Sequence, residues 1–459
     1  MITIKTNLDY LEEIKWLSQV IFEEILGLNY ILEIHDEEDF KIITNEKEIV
    51  LENFFLKNQK KKWLKPFSFK EMSIKYINLF DCFNRKFYQD NLPVIFGNPN
   101  IKIFKNKYIF NFDVLGTIFF FLSDYESACS PYKDKHERFE FKNSILSKED
   151  LIYRPIVDEY IEILMHAMKV LNPSLNPIKT ESKLCISCDV DNPYNEYTKS
   201  FILALKKCAG DILKRKSSKD FFITLTNYFL SKLGIYILDD LFNFNWMMDE
   251  AEKNKLKINF FFIFSKSDKQ MDGYYSLNEK ALTDLLLNIH QRKHIIGIHS
   301  SYKTSNNPIL IRKELKKFRS VLKDNKINQK EIINRQHYLK FSYKTFEYLS
   351  KNLVSMDCSI TFAANPGFRC GTSRTFSMFD LQNRKILNIK QQPLIIMDNS
   401  ILSETYMGVT ENENVLGLIK NLKKSVDYFG GTLSILWHND SLRSSKEKSL
   451  YKNILSLKP

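Results

Sequence analysis

No stretch of this 459-residue chain is apolar for long enough to cross a bilayer. Its densest run, Val114 to Leu122, falls far short of the roughly 20 residues a spanning helix needs. A disulfide scaffold is also missing, because the seven cysteines show no framework spacing. Cys185 and Cys188 form a C-x-x-C, but within an apolar run read as a strand, where residues three apart face opposite sides. They are read as packing residues. The segment Met1 to Asn7 lacks the charged start, apolar centre and small-residue cleavage site of a signal peptide, so the default compartment is the cytoplasm. Repeats and low-complexity segments are absent. Charge of one sign is not concentrated either: the net +12 is spread along the chain, and Lys60–Lys62 and Lys214–Lys216 are short runs read as solvated faces. No nucleic-acid partner is expected from that pattern. Attraction to a phosphate-bearing substrate or to anionic lipid, and with it peripheral membrane contact, stays open.

What is present suits a folded protein of two or three domains: 44% hydrophobic and 27% charged residues, with 36 Phe and 22 Tyr to fill a core. Residues Asp9 to Gly27 read as an amphipathic helix, followed by strands at Tyr30–Ile34, Lys41–Thr44 and Glu48–Leu51. A hairpin is expected from Ile101–Lys105 and Tyr108–Phe112, then a helix capped by Asp113 and another opening at Pro155. This portion shows no catalytic constellation, and the cluster Asp134, His136, Glu137 and Arg138 reads as a surface network in a loop. The segment Asn172-Pro173-Ser174-Leu175-Asn176-Pro177 reads as a linker. The expected organisation is an α+β domain over residues 1–171, a linker over 172–180, and an α/β domain over 181–459.

Beyond the linker, apolar runs at Leu184–Cys188, Ile258–Phe264, Ile295–Ile298, Pro393–Met397 and Thr432–Trp437 alternate with helical patterns. Such alternation implies a parallel sheet covered by helices, either a βα barrel or a doubly wound sheet. In a barrel, catalytic groups sit at the carboxyl ends of several strands. Polar residues stand at such ends here: Asp189 and Asp191, His299, Arg335-Gln336-His337, Arg369, Asp398 and His438, in a chain with only eight His. Asp189 and Asp191, two apart, share one face of their strand. Two crowded carboxylates repel unless a cation intervenes, which suits a metal ligand beside a general base.

Cys188-Asp189-Val190-Asp191, Gly297-Ile298-His299-Ser300, Gly367-Phe368-Arg369 and Leu436-Trp437-His438-Asn439 occur in that order. Together they resemble the successive motifs of the polysaccharide deacetylases, the family 4 carbohydrate esterases or NodB-homology enzymes. The likeness runs from about residue 180 to the carboxyl end. It is closest to a subgroup with Arg-Gln-His-Tyr, here Arg335–Tyr338, and with an extra amino-terminal domain resembled by Phe119–Glu126 and Tyr153–Tyr160. The resemblance implies a distorted βα barrel and removal of an acetyl group from an N- or O-acetylated sugar, and the lack of an export signal points to a precursor of surface polysaccharide. The resemblance also implies Asp189 as base, Asp191 and His299 as ligands of a divalent metal such as zinc, and Arg369 as the tether of the base. His438 matches the general acid, oriented by Asp398. Where the second motif has its further imidazole stands Lys303, whose ammonium cannot ligate; His337 is expected to take that place. A carbohydrate-binding protein on a degenerate barrel without metal is the alternative.

Overall fold

The computed structural model describes residues 2–457. Two main sheets organise them. The first is six-stranded, built from β1 (Ile2–Thr6), β2 (Tyr30–Ile34), β3 (Phe40–Thr44), β4 (Lys47–Leu51), β7 (Gly97–Ile103) and β8 (Lys107–Phe112), in the order β2-β1-β3-β4-β8-β7. The strands β5 (Lys75–Asn78) and β6 (Asn91–Val94) pair separately. Burial alternates along β3 and β8, so each puts one apolar row inward and one outward. The expected helix at Asp9–Gly27 is a 3₁₀ turn, an α-helix over Leu11–Ser18 and a π-helical stretch over Gln19–Ile25. Asp113 caps the helix Val114–Leu122 by accepting from the Gly116 N–H, and every residue of that helix is buried.

The second sheet has nine strands: β9 (Lys183–Val190), β10 (Ile258–Phe262), β11 (Ile295–Ser300), β12 (Ile333–Gln336), β13 (Met356–Asp357), β14 (Phe376–Asp380), β15 (Lys385–Gln391), β16 (Ile396–Met397) and β17 (Thr432–Leu436). Their order is β14-β15-β13-β12-β11-β10-β9-β17-β16, parallel except for β14 against β15. Strands buried on both faces need continuous apolar runs, which is why β9, β10 and β11 were legible in the sequence. The sheet curls: β16 lies at one end of the order, yet the Leu394 N–H just before it donates to the Ile360 carbonyl, just past β13 near the other end. Pro393 has no N–H, and Leu394 and Ile395 spend theirs on Ile360 and Ser434, so the run expected at Pro393–Met397 pairs as a ladder only at its last two positions. Inside the curl the packing is tight. A Cβ on Gly297 would collide with the Phe261 ring, so glycine is required there for two strands to approach.

The β14–β15 hairpin, which sequence periodicity does not signal, carries the contact with the amino-terminal sheet and its helices. Trp16 packs its ring 5.1 Å from that of Phe379 and donates its indole N–H to the Ser377 carbonyl at 2.7 Å. Trp63 donates to Leu381, and Arg384 grips the buried Glu13 with two bonds of 2.6 and 2.8 Å. Within the proline-containing segment, Asn172 bonds Thr44 and the Ile178 N–H bonds Leu26.

Candidate metal and catalytic site

Parallel strands deliver their carboxyl ends to one rim. Asp189 is the penultimate residue of β9, His299 the penultimate residue of β11, and His337 follows β12 directly. Asp191 lies one residue beyond β9. The His299 Nε2 and the His337 Nε2 each lie 3.3 Å from the same oxygen, Asp191 Oδ1. The three donor atoms fall within 4.8 Å of one another. Each imidazole is fixed from behind. His299 Nδ1 is 3.0 Å from the Arg335 carbonyl and His337 Nδ1 is 3.0 Å from Asp272 Oδ1. Both partners only accept, so Nδ1 carries a proton and, in the neutral ring, Nε2 presents its lone pair to the cavity. Asp191 Oδ1 is buried and takes no hydrogen bond from any donor. Two imidazoles and a carboxylate with a free buried oxygen fit a divalent cation, and Asp191, His299 and His337 could hold one.

The local field favours positive charge at this point. Burial opposes ionisation of Asp191, yet the His337 and His299 rings outweigh it and hold the carboxyl well below its usual range. Burial likewise opposes a charged His337, but Asp191 and Asp272 raise its value to about 9. Asp272 is itself pushed down to about 2 against its burial, by His337 and by backbone N–H groups of Tyr302, Asp268 and Ser267. Sequence reasoning missed Asp272. It lies in an irregular loop after β10, so no strand-end rule points to it. Lys303, by contrast, is exposed and paired with Asp268 at 2.8 Å.

Across the cavity His438 sits just past β17. Its Nδ1 is 2.7 Å from Asp398 Oδ1, and its backbone N–H donates to Asp398 Oδ2 at 2.8 Å. Burial would discharge this imidazole, but the Asp398 charge overrides it and raises the His438 pKa well above the ordinary value. Asp398 is lowered correspondingly against its own burial. Asp189 is buried, with Oδ2 3.7 Å from His299 Nε2 and Oδ1 without a hydrogen-bond partner. Asp189, Asp191, His299, His337 and His438 all line one cavity of about 330 Å³.

Arg369 is not brought to Asp189, which corrects the tether expected from the motif. Its loop turns toward the amino-terminal portion. There its Nε and Nη2 clamp Asp124 at 3.0 and 2.8 Å while Nη1 donates to Thr361, which uses every face of the guanidinium. The cation on the Asp189 side of the sheet is Arg335, whose Nη2 reaches Ser187 at 3.2 Å, two positions before Asp189. Arg335 Nε and Nη1 are buried without partners.

The loop cluster read as a surface network also belongs here. Arg138 lines the cavity, donating to the Tyr338 carbonyl at 2.9 Å and to the Tyr406 hydroxyl at 3.3 Å, with Asp134 holding it at 2.7 Å. The His136 ring lies 4.7 Å from that of Tyr338. Tyr338 and Leu339 both adopt left-handed backbone, at φ 59° and 54°, a strained choice for residues of this size. Arg138 therefore secures the turn that follows His337. Only the tertiary fold joins Arg138 to Tyr338, which is remote from it along the chain, so no sequence spacing signals the contact.

Residues 2–173 match a family of unknown function (DUF7033). Comparison with curated proteins finds no match. Among solved structures, a protein from Mycobacterium smegmatis assigned as a polysaccharide deacetylase aligns at 10% identity and a TM-score of 0.39, over 61% of this chain and 84% of its own. A second, from Bordetella bronchiseptica and assigned as a polysaccharide deacetylase of O-antigen biosynthesis, aligns at 13% identity and a TM-score of 0.27, over 47% of this chain and 76% of its own.

Proposed function

We propose that the protein is a zinc-dependent hydrolase that removes an acetyl group from an N- or O-acetylated sugar, on a distorted βα barrel of the polysaccharide deacetylase type. The observation that carries this reading is the convergence, on one cavity, of the Asp191–His299–His337 donor set and the His438–Asp398 pair, with Asp189 between them. When bound, the metal supplies Lewis acidity toward the acyl carbonyl and toward water.

The chain's own residues do the proton work. Asp189 accepts the proton that the attacking water gives up. That oxygen joins the acetyl carbon while the bond from carbon to the sugar nitrogen or oxygen breaks. His438, kept protonated by Asp398, gives its proton to the departing atom, leaving acetate and the free amine or hydroxyl. Leu339 and Met397 wall the cavity and limit water. Residues 1–171 form the companion domain in this reading, with Arg138 as its contribution to the site. The sugar belongs to a precursor of surface polysaccharide, lipid-linked or nucleotide-linked, whose phosphates suit a chain of net charge +12.

A binding protein on a degenerate barrel would have no use for a complete donor set, so the converging side chains weigh against that alternative. Acetate release is measured on a panel of acetylated sugar precursors, with the protein as isolated, after chelation and after zinc is restored. Release that falls on chelation and returns with zinc is expected. Sugar binding without acetate release by the zinc-loaded protein would overturn the proposal.

A further inference from the structure

Between Asp191 and β10 the chain inserts two antiparallel helices, Phe201–Leu213 and Ser218–Lys232, that are built inside out. Their buried positions are small or polar: Ala204, Cys208 and Asp211 on the first, Thr224, Asn227 and Ser231 on the second. Hydrogen bonds join this interior, with Thr224 donating to Asp211 at 2.7 Å and Asn227 to the Tyr197 hydroxyl at 2.7 Å. The large apolar side chains point away from the protein. Leu213 and Leu233 are 76% and 75% exposed, and Ile202, Leu205, Phe222 and Phe229 share the outer faces. A water-soluble helix pair does the opposite. Small and polar residues between helices with apolar ones outside is the arrangement used where the surroundings are lipid.

Charge selects the occupant. Residues 199–238 carry eight Lys and Arg against two Asp, a net +6 and half of the charge of the whole chain. Lys214-Arg215-Lys216 forms the tip between the helices, beside Leu213. At 1.5 Å per residue each helix is about 20 Å long or slightly more, too short for a hydrocarbon core of roughly 30 Å. No described helix is long and apolar enough to cross a membrane.

We propose that this hairpin embeds in one leaflet of an anionic phospholipid bilayer, its apolar faces among the acyl chains and its basic tip at the headgroups. The hairpin leaves the sheet just past Asp191, at the rim formed by the carboxyl ends of the strands, so docking would set the catalytic cavity beside the membrane surface. This inference does not depend on the chemistry proposed for the cavity, because vesicle binding is read without turnover.

The test is co-sedimentation of the full-length protein with vesicles of phosphatidylcholine alone or mixed with phosphatidylglycerol, at low and high salt. Binding to the anionic vesicles is expected to exceed binding to the neutral ones by about tenfold or more, and to weaken with salt. Leu213→Asp with Leu233→Asp should reduce binding at least about tenfold, with circular dichroism and bound metal unchanged because both side chains are exposed. Binding that is equal for parent and variant, or absent from anionic vesicles, would overturn the proposal. So would a dimer in light scattering that the same substitutions dissolve, since the face would then belong to a second copy.

Discussion

At the scale of single residues, the proposed chemistry gives each acid and imidazole around the cavity a separate task. Asp189→Asn should lower turnover by about 10²–10⁴-fold, the range of a positioned base, with bound metal unchanged in elemental analysis. Asp191→Asn should lose the metal as well. Asp272 stands behind His337 and does not line the cavity, yet Asp272→Asn should weaken zinc binding by about 10- to 100-fold, read by competition with a chromogenic chelator. Full metal affinity in that variant would show that the His337 tautomer is fixed otherwise. Asp398 governs when His438 holds its proton. Asp398→Asn should move the His438 titration, followed by its imidazole resonances, down toward about 6.5. The sign of the pH dependence follows from the two shifts. His438 is raised, so its contribution to stability is complete below about pH 6.5 and is lost as pH rises through its folded value. Asp398 is lowered, so its contribution is complete above about pH 4 and is lost on acidification. The pair stabilises most between those limits. In that window the Asn variant should be less stable by about 3–5 kcal/mol, the cost of stranding one member of a buried pair.

At the scale of elements, strands whose faces are both buried were legible, because burial forces a continuous apolar run whatever the partners. The ends of β9, β11 and β17 therefore pointed to Asp189, His299 and His438, whereas β12, polar after Ile333, carries no such run, and His337 was expected only in place of the missing imidazole. Arg369 and Arg138 were misread for the opposite reason. Each lies in irregular backbone, where its direction is set by a distant partner, Asp124 for one and Tyr338 for the other. The helix pair 201–232 escaped because its buried stripe is polar and its exposed stripe apolar, a pattern that the usual rule assigns to the wrong face. Arg138 offers a test of the loop as a working element. Arg138→Ala should raise KM more than it lowers kcat, because it secures the turn at Tyr338 and donates no proton. A fall in kcat alone would place it in the chemistry instead.

At the scale of the whole molecule, the amino-terminal portion and the curled sheet share one contiguous core. Trp16 is fully buried against the β14–β15 hairpin. Trp16→Ala should cost about 3–5 kcal/mol, as large-to-small changes in packed cores do, and should appear as one cooperative transition shifted to lower denaturant. Two separated transitions would mean that the sheets unfold independently. The change of sequence rhythm near residue 172 falls between the strands of the first sheet and those of the second. The contact through the β14–β15 hairpin was not legible, because that hairpin spends its aromatic residue Phe379 on Trp16, far away in the chain.

The cavity's dependence on residues from Arg138 to His438 also has a consequence in time. Most parallel pairs of the curled sheet form only after a helix has crossed back, and the wall supplied by Arg138 closes only when two distant stretches have met. Loop closures of that length slow folding. During refolding from denaturant, helical signal should therefore recover first and metal uptake later, with turnover the last property to return.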